Sequence, residues 1–215
     1  MAVKKEGLLL SLAIAALAVS VAAVALSTPR GSLFRMIVRL SALYGYLTLS
    51  IAAVMTPFVR QIMKVFGEPF IKVHHIFATL GIILLTVHPV AHVIDTLDPR
   101  VFLPSFESWF LFWAFAGRPA LIILYVAVLS ALLRRKIQKR WRTIHALTYV
   151  VLFFGIVHAT LIGPDFENPG IRLVFISLYS MSSIGFALKR LQQYRIRKVL
   201  SQRKDRASSE SAWPA

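Results

Sequence analysis

Six apolar runs, each close to the roughly 20 residues that a helix needs to cross the hydrocarbon core of a bilayer, leave this chain few folds to choose from. They lie at 7–26, 40–59, 73–93, 119–133, 143–162 and 171–188. Lipid offers backbone N–H and C=O groups no partner, so runs of this kind form helices. The expected fold is all-α, an integral membrane six-helix bundle over residues 1–188, followed by a basic tail, 189–215. The lipid bilayer is the first partner. Hydrophobic residues make up 57% of the chain, well above the roughly 45–50% of a soluble domain.

The fourth run is the least regular, because Arg118-Pro119 interrupts the aromatic stretch 109–115. Proline fits the first helical position, so the span is predicted to start at Pro119, with 105–116 lying at the membrane interface. Its aromatic group, Phe106, Trp109, Phe110, Phe112, Trp113 and Phe115, reads as an interfacial belt or as a cap over the nearby end of the bundle. Lys4 and Lys5 ahead of the first run also suit a cleaved leader, but the run exceeds the roughly 7–15 apolar residues of one. A retained helix is expected.

Charge sets the orientation. The formal net charge is +16, from 25 Lys+Arg against 9 Asp+Glu. With the N-terminus inside, one side of the membrane receives Lys4, Lys5, Arg60, Lys64, Lys72, the cluster from Arg134 to Arg142 and the eight basic residues from Lys189 to Arg206. The other side receives only Arg30, Arg35, Arg39, Arg100, Arg118 and Arg172. Cytoplasmic loops carry the excess of Lys and Arg, so both termini are predicted to be cytoplasmic, in a multi-pass protein of the plasma membrane. Basic residues that flank apolar runs face lipid headgroups; no nucleic-acid partner is expected. The tail is too short for a flavin or nicotinamide domain and reads as a solvated, partly disordered end.

All six histidines fall in two of the six runs: His74, His75, His88 and His92 in the third, His145 and His158 in the fifth. Ionisable groups at membrane depth usually face the bundle interior and mark a functional path. His74 and His88 are fourteen positions apart, which leaves them within about 40° of one helix face and about 21 Å apart along the axis. His145 and His158, thirteen apart, offer partners at matching depths. Two levels, each with one imidazole from each helix, suit bis-histidine ligation of haem. Cysteine is absent, which excludes thioether-attached haem, iron–sulfur ligation and disulfides.

Thirteen residues of ideal helix turn about 140° off the starting face, so the fifth helix must be irregular if both its histidines act, and Gly155 is a place for a bend. His75 is assigned to a hydrogen bond with a neighbouring helix, with His75 the substitute should His74 not ligate. His92, one turn past His88, reads as a supporting group on the propionate side or as an axial ligand in place of a named one. Pro89 can kink the third helix and make room for a macrocycle, or be an ordinary transmembrane proline. Gly81, midway between His74 and His88, either leaves space between two haems or serves helix packing.

The segment HHIFATLGIILLTVHPVAH, with KRWRTIHALTYVVLFFGIVH further on, resembles the ferric-reductase-like transmembrane domain of ferric-chelate reductases, NADPH oxidases and the haem membrane subunit of the bacterial periplasmic methionine sulfoxide reductase. The pattern around Lys136–His145 and Met55-Thr56-Pro57 looks like the last of these, whereas its members tend to carry basic residues where His74 and His75 stand. The resemblance covers about 40–188. It implies His74, His88, His145 and His158 as axial ligands of haem b, two per chain. It also implies transmembrane electron transfer from a separate donor protein or quinol, with FMN, FAD or quinone supplied by a partner or bound at the inner face. The acceptor is then an exofacial redox partner, a ferric chelate or dioxygen. The rival reading, a histidine-lined metal or proton transporter, would call for carboxylates at mid-membrane, and Asp and Glu here keep to loops and termini.

Overall fold

A computed structural model describes residues 4–27 and 32–210, with side chains as far as Gln202. Among these residues every element is helical. They are α1 (Lys5–Ser27), α2 (Leu33–Val54), α3 (Val59–Phe66), α4 (Phe70–Thr96), α5 (Trp109–Ala114), α6 (Gly117–Leu132), α7 (Arg134–Ile137), α8 (Trp141–His145), α9 (Thr148–Ile162) and α10 (Pro169–Glu210), with short 3₁₀ turns between some of them. Five helical stretches are long and apolar enough to cross a membrane: Lys5–Ser27, Leu33–Phe66, Phe70–Thr96, Arg134–Ile162 and Pro169–Gln202. The sixth expected span is the shorter apolar helix Gly117–Leu132. Arg30 and the end of the tail, 211–215, lie outside the described residues.

Local chemistry explains most boundaries. The Ser32 hydroxyl caps α2 by accepting from Arg35 N, and Asn168 Oδ1 accepts from Gly170 N and Ile171 N at the start of α10, whose first residue, Pro169, stands where no N–H is needed. Pro57 cannot donate to the carbonyl four residues back, so α2 ends at Val54 and the chain turns through a 3₁₀ step, Thr56–Phe58, into α3. Gly67, at φ 68°, closes α3 in the left-handed conformation that glycine takes readily. α4 runs through Pro89 without a break. α6 begins at Gly117, two residues before the expected start at Pro119, which therefore sits in the first turn where its missing N–H costs little.

α2 is the central helix. Most of it is buried within the bundle, while the other spans expose much of their apolar surface, as lipid-facing helices do. It packs antiparallel to α4 at a close crossing. A Cβ on Gly45 would lie 2.9 Å from Leu85 N, and one on Gly81 would lie 3.0 Å from Leu49 N and 3.1 Å from Thr48 Oγ1. Gly81 thus serves helix packing, and of its two expected roles the space between haems does not hold.

Two expectations are corrected. The fifth span does not bend at Gly155, which packs against the Tyr46 ring; it breaks at Ala146-Leu147, between α8 and α9. There Leu147 N bonds to Ile144 O and Tyr149 N to Ala146 O, both i to i−3 contacts. Each 3₁₀ step turns about 120°, against about 100° in an α-helix, so this tightening brings His158 back toward the face of His145. The second correction concerns the chain past Leu188. α10 continues without interruption to Glu210, so the first part of the basic tail is helix. At about 1.5 Å per residue α10 is roughly 60 Å long, twice the hydrocarbon core of about 30 Å.

Candidate functional site: paired histidines between helices

Each of the four expected ligands is held the same way. His74 Nδ1 lies 3.2 Å from Ala52 O, His88 Nδ1 2.9 Å from Val38 O, His145 Nδ1 3.1 Å from Ala127 O and His158 Nδ1 2.6 Å from Ala114 O. A backbone carbonyl can only accept, so each Nδ1 must carry the hydrogen and donate it. Nε2 is then the nitrogen with the lone pair. A metal-bound imidazole takes this arrangement, with its second N–H fixed to a carbonyl.

The acceptors come from the antiparallel neighbour in each case. α4 leans on α2, which supplies Val38 and Ala52. α9 with α8 leans on α6 and the end of α5, which supply Ala127 and Ala114. The intervals match: Val38 and Ala52 are fourteen positions apart, as His74 and His88 are, and Ala114 and Ala127 are thirteen apart, as His145 and His158 are.

At one end of the bundle His88 and His158 face each other, ring centroids 6.4 Å apart and planes at 70°. Gly117 makes this possible, since a Cβ there would lie 3.0 Å from Cδ2 and 3.2 Å from Nε2 of His158. Beside the pair opens a cavity of about 620 Å³, walled by Val38, Leu85, Pro89, Leu124 and Phe175 among others. Three arginines also reach it, Arg35, Arg39 and Arg118. Arg39 pairs with Asp165 and donates to Ala25 O; Arg35 pairs with Asp95. Arg118 donates to Leu103 O and covers the Phe115 ring.

At the other end lie His74 of α4 and His145 of α8. Phe70 stacks on His74, and Trp141 contacts His145. Lys189 Nζ reaches Thr56 O nearby, which ties α10 to the Met55-Thr56-Pro57 turn.

The remaining histidines stand apart. His75 is exposed; its ring meets that of His74 at 6.1 Å, and among the described residues it makes no hydrogen bond to a neighbouring helix, contrary to expectation. His92 is exposed but lines the cavity. Among the described residues no group of three or more His, Asp or Glu side chains gathers as an ion site would need. The aromatic segment divides. Phe112 and Trp113 pack on Phe154 of α9, Phe115 lines the cavity, and Phe106, Trp109 and Phe110 are exposed.

Fold and site together define a multi-pass helical membrane protein in which His88 of α4 faces His158 of α9 and each of four imidazoles holds a backbone carbonyl of a neighbouring helix. The family model of the ferric reductase like transmembrane component matches residues 40–156, more than half of the chain, and the chain belongs to that family. The activity at family level is transmembrane electron transfer. The match takes in His74, His88 and His145 and stops just short of His158. No curated protein and no solved structure matches the chain.

Proposed function

We propose that the protein is a haem b electron conduit, in which His74 and His145 hold one haem near the cytoplasmic face and His88 and His158 hold a second near the outer face. The observation that carries this reading is the common setting of the four imidazoles, each with Nδ1 committed to a carbonyl and Nε2 left to bind. Spacing supports it. Two metal–imidazole bonds of about 2 Å, with the ring radii added, call for ring centroids roughly 6 Å apart, and His88 and His158 are 6.4 Å apart. The cavity beside them has a volume usual for cofactor pockets, about 300–1,000 Å³.

Iron held by two imidazoles in a b-type haem supplies reversible one-electron transfer with no open coordination position. The chain's own residues do the rest. The carbonyls of α2, α5 and α6 fix the ring tautomers and orientations. Apolar walls from Val38, Leu85, Leu124 and Phe175 keep water from the outer site. Arg118, which donates to Leu103 O and pairs with no carboxylate among the described residues, places positive charge beside it, suited to carboxylates such as propionates, while the charges of Arg39 and Arg35 are met by Asp165 and Asp95. In this reading six segments cross the membrane, counting Gly117–Leu132, and the basic loop 134–142 and both termini are cytoplasmic. A separate flavoprotein, bringing FMN or FAD, or a membrane quinol reduces the inner site, and an exofacial redox partner, a ferric chelate or dioxygen takes the electron from the outer one.

The test is a reduced-minus-oxidised spectrum of purified protein together with a haem-to-protein ratio. Low-spin b-type bands with two haems per chain are expected. A folded, monodisperse preparation from haem-replete cells that shows no such bands overturns the proposal.

A further inference from the structure

We propose that side-chain hydroxyls, that of the buried Ser130 above all, set how strongly the histidines bind iron by sharing the carbonyls that accept their N–H groups; the inference rests on the haem reading above. Ser130 Oγ lies 2.7 Å from Ala127 O, the oxygen that also accepts from His145. Ser41 Oγ donates to Ile37 O at 2.6 Å and also lies 3.1 Å from Val38 O, the acceptor of His88, and Thr56 Oγ1 lies 3.3 Å from Ala52 O, the acceptor of His74. Among the described residues no side-chain hydroxyl donates to Ala114 O, and the His158 bond to it is the shortest of the four at 2.6 Å.

Serine and threonine in helices often donate to the carbonyl three or four residues back. Elsewhere in this chain they choose other oxygens, Thr86 that of Ile82 and Ser182 that of Leu178. What sets Ser130 and Thr56 apart is that the closest acceptor of each is a histidine acceptor, whereas Ser41 bonds chiefly to Ile37 O and reaches Val38 O as its longer contact. A carbonyl oxygen has two lone pairs, and in a helix it already receives an N–H from four residues on. A further hydroxyl leaves less for the imidazole.

Ser130 has the shortest hydroxyl bond to a histidine acceptor and is buried, in surroundings where a polar contact is not screened by water. Its hydroxyl also lies 3.4 Å from Trp141 O, the longer of its contacts. A stronger hydrogen bond from a ligating histidine makes the ring a better donor, which favours ferric over ferrous iron. Removing the hydroxyl strengthens the His145 N–H bond to Ala127 O and also takes away the positive end of the O–H dipole. Both changes lower the reduction potential of the inner site. Ser130 acts through His145 and is a positioning residue.

The experiment is a spectroscopic redox titration of full-length wild type, Ser130→Ala, Ser130→Thr and Ser41→Ala, with Ser182→Ala as the control for removing a buried hydroxyl. Ser130→Ala should keep its haem and move only the inner step to lower potential, Ser130→Thr should restore it, and Ser41→Ala should lower only the outer step, by less, because its shorter bond is to Ile37 O. If Ser130→Ala loses haem, Ser41→Ala decides by the same readout. Unchanged midpoints in haem-replete Ser130→Ala and Ser41→Ala, or an equal shift in Ser182→Ala, overturn the proposal and leave the haem reading standing. A wild type without haem overturns both.

Discussion

The rings of His88 and His158 lie 6.4 Å apart, brought together from α4 and α9, with the Nδ1 of each tied to a different helix, Val38 of α2 and Ala114 of α5. The pair is therefore assembled from four helical elements. Its counterpart, His74 and His145, draws its carbonyls from α2 and α6.

The two levels should fail independently, since about 21 Å of helix separates them and they share no ligand. His88→Ala or His158→Ala should remove about half of the bound haem, and His74→Ala or His145→Ala the other half, read as haem per folded chain. Unchanged haem content in His74→Ala would reduce the site to one haem held at the outer level.

Two glycines should separate the levels from the bundle. Gly117→Ala places a methyl group against the His158 ring and should cost the outer haem alone. Gly45→Ala meets backbone as well as side chain of Leu85, and overpacking of this kind costs about 1–3 kcal/mol. Because α2 supplies carbonyls to both levels, Gly45→Ala should lower the melting temperature in detergent and reduce both haems together. A Gly117→Ala protein with full haem content would show that the ring does not need that space.

The histidines and spans were legible in the sequence because charge-capable side chains and apolar length leave a mark in composition. The carbonyls of Val38, Ala52, Ala114 and Ala127 were not, since any residue supplies a backbone oxygen and only the helix register selects these four. Nor was the break at Ala146-Leu147: neither residue is a helix breaker, whereas Gly155, which looks like one, is needed small against Tyr46. Past Leu188 the polar composition masked a helix that simply continues from the last span. Gly117 is hidden in the sequence beside Arg118-Pro119, because only the fold brings it against His158, where the absence of a side chain permits the close approach.

Arg39 and Asp165 form a buried pair, with side chains 10% and 8% exposed, and Arg39 also holds Ala25 O of α1. Leaving one charge of such a pair without its partner costs about 3–5 kcal/mol, while replacing both is often near neutral. Arg39→Met should therefore destabilise the protein markedly in thermal unfolding, and Arg39→Met with Asp165→Asn should recover much of the loss. A double variant no more stable than the single one would show that the contact of Arg39 with α1, and not the ion pair, is what matters.

Orientation fixes which histidine pair meets the donor, and the chain is well suited to testing it because it has no cysteine. A single cysteine placed at Lys139, in the exposed basic loop between α6 and α8, should resist a membrane-impermeant maleimide in intact cells and react once the membrane is opened. One placed at Glu107, in the exposed segment before α5, should react in intact cells. The physical basis is the lopsided distribution of Lys and Arg, which holds the richer side in the cytoplasm. Both sites are exposed, so protection reports the membrane and not burial, and each labelled protein can be checked for haem before its result is read. Reaction at Lys139→Cys from outside would reverse the topology: His88 and His158, with the arginine-lined cavity, would then face the cytoplasmic donor, and His74 and His145 the exofacial acceptor.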